Sequence, residues 1–315
     1  MSRSEPPEVV VLGASCLDVK VQPLAPVVPG TSSPARIRLS PGGAARNMAE
    51  NLARLGVKVA LLSAVGTDPV GQRLMERTAR AGVDVSRVIR SPHHSTGSFL
   101  TLFSGEAQKG FALDDVSQIR LATPEYVQSH RQLFKQAKMV MMDGNVDTET
   151  IAATLALARE NGVPVCIDPV SVRRAYALRP YLSEFTVVTP NVAEAEALLD
   201  LSIHGADDAL EAARKMVSSG VGVAIITLAE EGLVYVTSEG MGEGHGRIPA
   251  IRANVVDGTG AGAALTAAVA YGMINGMPVD ECMWLGVAAA TLTLESSESV
   301  NPVMSLEQLY ANMVI

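Results

Sequence analysis

Short apolar runs alternate with segments of helical periodicity along most of the chain. Each apolar run is typical of a strand that is buried on both faces of a parallel sheet. The alternation therefore predicts right-handed βαβ units, with helices on both faces of a mostly parallel sheet. The predicted strands are 8–13, 57–63, 138–142, 163–167, 186–188 and 223–228, and the predicted helices are 44–55, 70–81, 148–161, 192–199 and 206–218.

Two regions interrupt this alternation. Residues 19–39 are rich in proline and β-forming residues, and residues 97–113 alternate between apolar and polar positions. Both regions predict an antiparallel β patch, with a solvent-side hairpin of no function as the alternative. No proline-rich or Gly/Ser-rich linker divides the sequence, and it contains no repeat, so we expect a single domain over residues 1–315.

Composition narrows the possible partners. Of the 315 residues, 48% are hydrophobic and 18% are charged, which is typical of a folded globular chain. The net charge is −8 and the basic residues are scattered, which argues against binding to nucleic acid. Three widely spaced cysteines do not make a disulfide framework, which fits a reducing cytosol. Because the start of the chain lacks an apolar signal region and no apolar run reaches the ~18 residues of a membrane span, we expect a cytoplasmic protein that binds no membrane.

The stretch 255–272 carries the most specific chemical signal. Gly258, Gly260 and Gly262 precede an alanine-rich helical segment. Glycines let consecutive N–H groups converge on one point, and the positive end of the helix dipole is directed at the same point, so the turn predicts an anion site, usually for phosphate. No Lys-Ser/Thr pair follows, so the turn is not a Walker A loop. A glycine-rich helix start selected for close packing is the alternative.

A second glycine pair lies far upstream and makes a family resemblance specific. Gly42-Gly43 begins the segment Gly-Gly-Ala-Ala-Arg-Asn-Met-Ala-Glu-Asn. Together the two glycine segments resemble the two signatures of the PfkB, or ribokinase-like, family of sugar and nucleoside kinases. The resemblance runs nearly end to end and includes, in order, Gly13, Asp18, Gly42-Gly43, Asp168-Pro169, Thr189-Pro190-Asn191-Val192-Ala193-Glu194, Thr227-Leu228, Gly232 and the glycine turn.

The resemblance implies both a fold and an activity. The fold is a ribokinase-like three-layer αβα sandwich with a mostly parallel central sheet, over which the regions 19–39 and 97–113 form a small β lid that sometimes makes dimer contacts. The activity is Mg²⁺-dependent transfer of phosphate from ATP to a sugar or nucleoside hydroxyl. Segments such as Asp168-Pro-Val-Ser171 and Asn301-Pro302 are most similar to the pseudouridine kinases of the family, which implies the 5′-hydroxyl of pseudouridine as acceptor. Ribose, a keto-sugar acid or a purine nucleoside are alternative acceptors, and a non-catalytic nucleoside or sugar sensor is an alternative function.

Five residues are implied to bind the acceptor. Asp18 lies just past the first predicted strand, where its carboxylate would accept ribose hydroxyls. Gly42 and Gly43 would let backbone amides approach the sugar, and Asn47, one helical turn later, would donate and accept hydrogen bonds. Arg174 stands where pseudouridine kinases tend to carry Lys, and it would reach substrate or phosphate. The alternatives are an ordinary strand-end turn at Asp18, a plain helix start at the glycines and a solvated surface residue at Arg174.

The metal residues follow from the same resemblance. Asn191 and Glu194 stand three apart at a helix start, so both point toward the ligand edge of the sheet. The family uses this pair to hold Mg²⁺ through waters near the nucleotide phosphates, which suits an ion that keeps most of its waters. Asp168 follows a buried strand and would add a carboxylate to the same metal shell. Simple capping of the helix by Asn191 is the alternative.

Two further pairs of residues complete the expected site. Thr227 and Gly232 bracket the loop expected near the adenine and ribose of ATP, although a plain strand–turn–strand would have the same sequence pattern. Asp257 and Thr259 resemble positions that bind a monovalent cation, such as K⁺, beside the glycine turn in many family members.

One departure from the family pattern bears on catalysis. In the family sequence Gly-Ala-Gly-Asp, the first three residues, here Gly260, Ala261 and Gly262, bind the ATP phosphates and the transferred phosphoryl group. The Asp is the general base, and this chain has Ala263 in its place. A methyl group accepts no proton, and the loss of a positioned general base typically costs about 10²–10⁴ in rate. An engineered Asp-to-Ala change and a natural pseudokinase both account for Ala263. The intact remainder of the site favours the engineered change, because decayed enzymes usually lose several motif positions together.

Overall fold

A computed structural model describes residues 6–103, 109–242 and 244–313. Its strands are β1 (Val9–Leu12), β2 (Cys16–Pro23), β3 (Ala35–Gly42), β4 (Val59–Leu62), β5 (Ala64–Gly66), β6 (Ile89–Ser91), β7 (Gly97–Phe103), β8 (Lys109–Asp115), β9 (Met139–Asp143), β10 (Val165–Asp168), β11 (Val187–Val188), β12 (Val223–Thr227), β13 (Leu233–Thr237) and β14 (Gly244–Ile248). Its α-helices are α1 (Ala44–Arg54), α2 (Pro69–Arg80), α3 (Pro124–Ser129), α4 (Arg131–Phe134), α5 (Thr148–Glu160), α6 (Val172–Leu178), α7 (Val192–Leu199), α8 (Ala206–Ser218), α9 (Ala261–Ile274), α10 (Val279–Leu294) and α11 (Leu306–Met313). Short 3₁₀ helices cover Ser117–Leu121, Arg179–Glu184, Ala229–Glu231 and Glu239–Met241.

The main sheet has eight of the described strands, in the order β14, β13, β12, β11, β10, β9, β1, β4. The strands from β12 to β4 run parallel, whereas β13 and β14 are antiparallel additions at one edge. The expected mostly parallel sheet is therefore confirmed.

Two apolar clusters lie on opposite faces of the main sheet. Val10 and Leu12 pack with α5 and α8 on one face, and Val9 and Val11 pack with α1, α9 and α10 on the other. Because both faces are covered by helices, the parallel strands are apolar up to their last residue, and this made them recognisable in the sequence. The three-layer α/β/α arrangement follows. Within the described residues, no helix combines the length and apolar character needed to cross a bilayer.

The two interrupting regions form a separate four-stranded sheet in the order β3, β2, β7, β8. The outer pairs are antiparallel, as expected, but β2 and β7 are parallel, so the antiparallel prediction is wrong for the central pair. Four strands and two helices separate β2 from β7 in the chain, and a connection of this length allows the two strands to run in the same direction. The strands also extend further than predicted, from Cys16 to Gly42 and from Gly97 to Asp115.

Candidate active site

The carboxyl ends of β9, β10 and β12 border a cavity of about 320 Å³ that is closed on its other sides by β2 and the starts of α1, α7 and α9. Most of the predicted site residues are brought together here. Those that line the cavity are Asp18, Gly43, Asn47, Asp168, Arg174, Asn191, Glu194, Thr227, Thr259, Gly260, Gly262 and Ala263. Sequence reasoning missed other residues that line it, among them Cys16, Phe99, Asp114 and Asn145.

Asp18 points into this cavity from within β2, and not from just past the end of β1 as predicted. The difference arises because the chain enters the second sheet at Cys16, two residues earlier. Asp18 is 3% exposed, and its Oδ2 accepts a hydrogen bond from the Ser299 hydroxyl at 2.5 Å. Burial raises the pKa of Asp18 above its ordinary value, while the Ser299 hydrogen bond and the Lys20 charge act in the opposite direction.

The glycine pair before α1 is required by the packing of the protein itself. A Cβ atom on Gly42 would lie 1.9 Å from Oδ1 of Asp18, and one on Gly43 would lie 2.3 Å from the carbonyl oxygen of Ala14. Gly43 also has a φ of +95°, a conformation that L side chains rarely adopt. Gly42 itself does not line the cavity. Packing therefore explains why both positions are glycine, and the predicted approach of their amides to a sugar stays a prediction, with Gly43 lining the cavity.

Asp143, which the sequence analysis did not select, fixes the start of α1 to the sheet. It is fully buried at the end of β9, and its Oδ2 accepts the N–H groups of Ala14 at 2.9 Å and Ala45 at 3.0 Å. Its Oδ1 accepts the N–H of Asn145 at 2.9 Å. Burial raises the pKa of Asp143, and the hydrogen bonds from Ala14 and Asn145 oppose that rise. The available signal was its position directly after a predicted strand, the same signal that selected Asp168.

Asn47 lines the cavity from the first turn of α1 and is held by its neighbour Arg46. The Arg46 guanidinium is 1% exposed, donates from Nε to the Gly42 carbonyl oxygen at 2.9 Å and contacts the Asn47 side-chain oxygen. It also forms an ion pair with Glu50. The orientation of Asn47 is thus set by a buried network and does not depend on a ligand.

Asn191 and Glu194 form a reciprocal capping box at the start of α7. The side chain of Asn191 accepts the N–H of Glu194 at 3.0 Å, and Oε2 of Glu194 accepts the N–H of Asn191 at 3.0 Å. The capping alternative is therefore confirmed. Both residues nevertheless line the cavity, so capping also orients them at the ligand edge of the sheet.

Asp168 lies at the end of β10 and is partly exposed to the same cavity. Burial, and then the nearby charge of Glu194, raise the pKa of Asp168 to about 8, although its Oδ1 accepts the Val170 N–H at 2.9 Å. Two carboxylates that repel each other in this way favour a bound cation. Within the described residues, no three His, Cys, Asp or Glu side chains are grouped closely enough to enclose a metal ion. The pair therefore fits an ion that keeps most of its waters, as Mg²⁺ does.

Arg174 projects from α6 toward the second sheet. Its Nη2 lies 3.1 Å from Oδ2 of Asp114 on β8, and its Nη1 donates to the carbonyl oxygen of Gly144 at 3.4 Å. Its side chain is 29% exposed and lines the cavity. Arg174 therefore links the cavity wall to the second sheet, and it is not a freely solvated surface residue.

The glycine turn before α9 leaves its amide groups open. Gly260 has a φ of +90° and precedes the helix without any side-chain cap, and the first turn contains no acidic residue. Among the described residues, we find no hydrogen-bond acceptor for the N–H groups of Ala261, Gly262 and Ala263. Unpaired N–H groups at a helix start carry a partial positive charge that attracts anions.

The glycines of this turn fall into two kinds. A Cβ atom on Gly260 would lie 2.0 Å from the Ser299 carbonyl oxygen, so this glycine is required by the fold. A Cβ atom on Gly258 or Gly262 would meet no heavy atom within 4 Å. The packing of the described residues does not require these two glycines, and Gly262 borders the cavity with open space beside it. Ala263 follows, buried and facing the cavity.

A second cavity, of about 1160 Å³, lies on the other side of the glycine turn. Four residues line both cavities, namely Asn191, Thr227, Gly262 and Leu265, whereas Gly232 and Ala261 line only the larger one. Thr227 and Gly232 bracket the connection between the antiparallel strands β12 and β13, so the strand–turn–strand alternative is also correct. The larger cavity has an apolar side formed by residues such as Val255, Val287, Ala290 and Leu294.

Asp257 does not line either cavity, because its carboxylate is turned toward β2. Its Oδ2 lies 2.6 Å from Nζ of Lys20, and its Oδ1 accepts the N–H of Thr259 at 2.8 Å. Oγ1 of Thr259 is buried and has no partner among the described residues. The carboxylate expected to hold a monovalent cation is therefore already paired with an ammonium group, which the sequence analysis did not anticipate.

Comparisons with known proteins agree with this geometry. The sequence model that defines the pfkB family of carbohydrate kinases matches residues 7–305 of this chain. The pseudouridine kinase of Escherichia coli (strain K12) is 32% identical over 298 residues, which cover 95% of this chain and 94% of that protein. Arabidopsis thaliana ribokinase, solved with ribose and ATP, has a TM-score of 0.83 and 22% identity, covering 98% of this chain and 99% of that chain. An E. coli structure in complex with ATP and Mg²⁺ has a TM-score of 0.82 and 17% identity, again covering 98% and 99%. The two solved structures share the fold, and the expected ribokinase-like sandwich is confirmed.

Proposed function

Because the chain belongs to the pfkB family of carbohydrate kinases, we propose that it binds ATP in one cavity, a ribosyl nucleoside in the other and Mg²⁺ where the two meet. The proposed reaction moves the terminal phosphoryl group of ATP to the 5′-hydroxyl of the nucleoside. One observation carries the proposal: the glycine turn before α9 separates the two cavities and has open N–H groups. Phosphoryl transfer depends mainly on alignment of donor and acceptor and on stabilisation of charge, and open amides between the two sites supply both.

The smaller cavity is the proposed acceptor site. The carboxylate of Asp18 would accept hydrogen bonds from sugar hydroxyls, and the side-chain amide of Asn47 would both accept and donate them. Phe99 on β7 is in register with Asp18 on β2 and lines the same cavity. Its ring offers an apolar face against which a base can pack. This combination of polar groups and one aromatic ring supports a nucleoside over a free sugar.

The larger cavity is the proposed donor site. Its apolar side suits the adenine ring, and Thr227 and Gly232 border it from the β12–β13 connection. Asn191, Glu194 and Asp168 would hold Mg²⁺ through water where the two cavities meet, since Asn191 lines both cavities and Glu194 and Asp168 line the smaller one. Bound there, the ion would neutralise charge on the phosphates. Asp168 would then have to lose its proton, because burial and Glu194 raise its pKa to about 8.

Ala263 occupies the position from which the family's Asp would accept the proton of the acceptor hydroxyl. It lies in the first turn of α9, next to the open N–H groups, and contributes only a methyl group to the cavity. We therefore expect binding of both substrates but slow turnover. An engineered change and a natural loss of the base both agree with this arrangement.

Pseudouridine is the acceptor we propose. The support is the 32% identity with E. coli pseudouridine kinase over 95% of this chain. Ribose, a keto-sugar acid and a purine nucleoside are the competing acceptors for the same site. The residues that would distinguish them are those that face the base, chiefly Phe99, Asn145 and the Arg174–Asp114 pair.

The decisive experiment measures phosphate transfer from ATP to pseudouridine, uridine and ribose by this chain and by Ala263→Asp. We expect the substitution to raise kcat with pseudouridine by about 10²–10⁴, the usual contribution of a positioned general base. Asn275→Asp is the matched control, since it adds the same charge at the exposed far end of α9. Equal activity in all three proteins would show that the base is misassigned, and preference for ribose would reject pseudouridine.

A binding protein without turnover is the second candidate, and the observation that favours it is Ala263 in a cavity that most of the other predicted site residues also line. In that case calorimetry would detect pseudouridine binding to this chain. Ala263→Asp would then bind equally well but remain inactive. Strong activity of Ala263→Asp would exclude this candidate in favour of a kinase lacking its base.

We propose further that the four-stranded sheet is the lid of a single domain over residues 1–315 and that its outer face joins two copies of the chain. This face carries two rows of apolar residues that run across all four strands. The rows are Leu39, Val19, Leu100 and Leu113, and Ile37, Val21, Leu102 and Phe111. On the two edge strands, the side chains of these rows are 61–68% exposed, and contiguous apolar patches of this kind are rare on monomers.

The proposed dimer is tested by the sedimentation of Phe111→Asp. We expect this variant to be a monomer at concentrations at which the original chain is a dimer, because the added charge would be buried at the interface. Val303→Asp is the control, since Val303 is similarly exposed but lies outside the sheet. A monomeric original chain would reject the proposal.

A further inference from the structure

Lys20 has a buried ammonium group beneath the glycine turn. Lys20 belongs to β2, and its side chain is only 5% exposed. Its Nζ lies 2.6 Å from Oδ2 of Asp257 and donates to the carbonyl oxygen of Ser297 at 3.3 Å. A lysine is rarely buried this completely unless its charge is paired, and here the pair consists of one carboxylate and one carbonyl oxygen.

The two groups that bind Lys20 belong to the two segments that shape the turn. Asp257 holds the turn from below, through the hydrogen bond from the Thr259 N–H to its Oδ1. Ser297 belongs to the loop after α10, whose Ser299 packs its carbonyl oxygen against Gly260 and donates its hydroxyl to Asp18. One ammonium group therefore ties together the segment before the turn and the loop beside it.

We infer that the Lys20 ammonium is a built-in monovalent cation that takes the place of a bound K⁺ at this turn. It has the same charge as K⁺ and contacts the same kinds of oxygen, a carboxylate and a main-chain carbonyl. A K⁺ ion that coordinated Oδ2 of Asp257 would lie against the ammonium group, and like charges at that distance repel strongly in a buried site. The turn therefore keeps its shape without free K⁺. The inference uses the proposed function only in treating 257–262 as a phosphate-binding segment.

This arrangement also places the cation on the strand that carries the proposed substrate carboxylate. Asp18 and Lys20 are two residues apart on β2, so both side chains point to the same face of the strand. Any movement of β2 would shift both groups together. Lys20 is thus a positioning residue, because it acts on the turn through Asp257 and Ser297 and does not line either cavity.

The test measures thermal unfolding in KCl, NaCl and choline chloride at equal ionic strength, and it needs no kinase activity. The original chain should unfold at the same temperature in all three salts. In choline chloride, Lys20→Met should unfold at a lower temperature than the original chain. KCl should raise the unfolding temperature of Lys20→Met by several degrees and in a saturable way, because K⁺ can now bind where the ammonium group was. Lys135→Met is the matched control, since Lys135 is exposed and remote from the turn, and it should show no response specific to K⁺.

A second variant and a second readout guard against simple loss of folding. Lys20→Met/Asp257→Asn should fold without any preference for K⁺, because the carboxylate charge is gone. Thallium NMR should detect bound Tl⁺ in Lys20→Met and none in the original chain. A saturable, K⁺-specific stabilisation of the original chain would overturn the inference. The inference would also be overturned if KCl did not stabilise Lys20→Met, or if Lys20→Met failed to fold in KCl.

Discussion

The two glycine turns of this chain both place a glycine with positive φ before a helix, but they differ in how the N–H groups of that helix are bound. Gly43, before α1, has a φ of +95°, and Gly260, before α9, has a φ of +90°. At α1, the N–H of Ala45 is bound by the carboxylate of Asp143. At α9, no side chain of the described residues caps the helix. The first turn is thus closed by the chain's own carboxylate, whereas the second remains open to an external anion such as a phosphoryl group.

The glycines themselves show the same contrast. Gly42 and Gly43 have no room for a side chain, because Asp18 and Ala14 lie against them. Gly262 has room for one, yet carries none. Gly260 is required by the fold although it belongs to the open turn, so the contrast between the two turns depends on Gly262 and on the open N–H groups.

The largest expected effect comes from removing the carboxylate that closes the first turn. Asp143→Ala leaves the buried N–H groups of Ala14, Ala45 and Asn145 without their acceptor. We expect it to lower the free energy of unfolding by about 3 kcal/mol or more, since each buried unpaired donor costs about 1–3 kcal/mol. Urea unfolding measures the loss. Asp207→Ala, at an exposed position, is the control and should change stability by less than about 1 kcal/mol.

The next largest effect on stability is expected from a side chain added to the first turn. Gly43→Ala would force a Cβ atom to within 2.3 Å of the Ala14 carbonyl oxygen, at a φ of +95°. We expect a loss of about 2 kcal/mol or more in the free energy of unfolding, from strain and from displacement of the start of α1. If Gly43→Ala were as stable as the original chain in urea, the first turn would not be the rigid element described.

A smaller effect on stability is expected from Asp168, whose carboxylate lines the smaller cavity. Burial and Glu194 raise the pKa of Asp168 to about 8, well above its value in the unfolded chain. Between about pH 4 and pH 8, the folded state therefore holds a proton that the unfolded state lacks, so stability falls as pH rises, by up to about 1.4 kcal/mol per pH unit for this group.

Asp168→Asn removes that titration. Between pH 5.5 and 7.5, its free energy of unfolding should fall less steeply with pH than that of the original chain. Below about pH 4, the two pH dependences should have the same slope. Asp207→Asn serves as the exposed control and should leave the slope unchanged. Parallel pH profiles for Asp168→Asn and the original chain would mean that Asp168 is ionised across this range.

The smallest effect on stability is expected at the second turn. Gly262→Ala places its methyl group in open space within the first turn of α9, so the change should lie within about 1 kcal/mol of zero and on the stabilising side. The same methyl group would obstruct the phosphate, and we expect ATP to bind at least about tenfold more weakly, a loss of about 1.4 kcal/mol. Calorimetry with Mg²⁺ and ATP measures this, and unchanged affinity would argue against a phosphate at Gly262.

Much of the fold followed from the sequence, because parallel strands buried on both faces are apolar throughout. The predicted helix over 192–199 matches α7, and the spacing of Asn191 and Glu194 correctly allowed for a cap. The parallel pairing of β2 with β7 did not follow, since it depends on how the intervening chain crosses the main sheet. The predicted roles of the site residues in binding and catalysis stay predictions.

The two residues most clearly missed are Asp143 and Lys20. Asp143 had the same signal as Asp168, a carboxylate after a buried strand, but its partners are backbone N–H groups that no sequence motif displays. Lys20 pairs with Asp257, which lies in a different part of the sequence and becomes a neighbour only in the folded chain. Local patterns indicate where a helix or strand ends, but not which distant charge lies against it.

The most direct test of the contrast between the two turns is NMR of the chain labelled with [¹⁵N]glycine, titrated with Mg²⁺ and ATP. The signals of Gly43 and Gly262 are identified by their absence from the spectra of Gly43→Ala and Gly262→Ala. Our account predicts that the amide signal of Gly262 shifts on addition of ATP, while that of Gly43 remains in place. A shift at Gly43 without any at Gly262 would contradict the assignment of the open turn as the phosphate site.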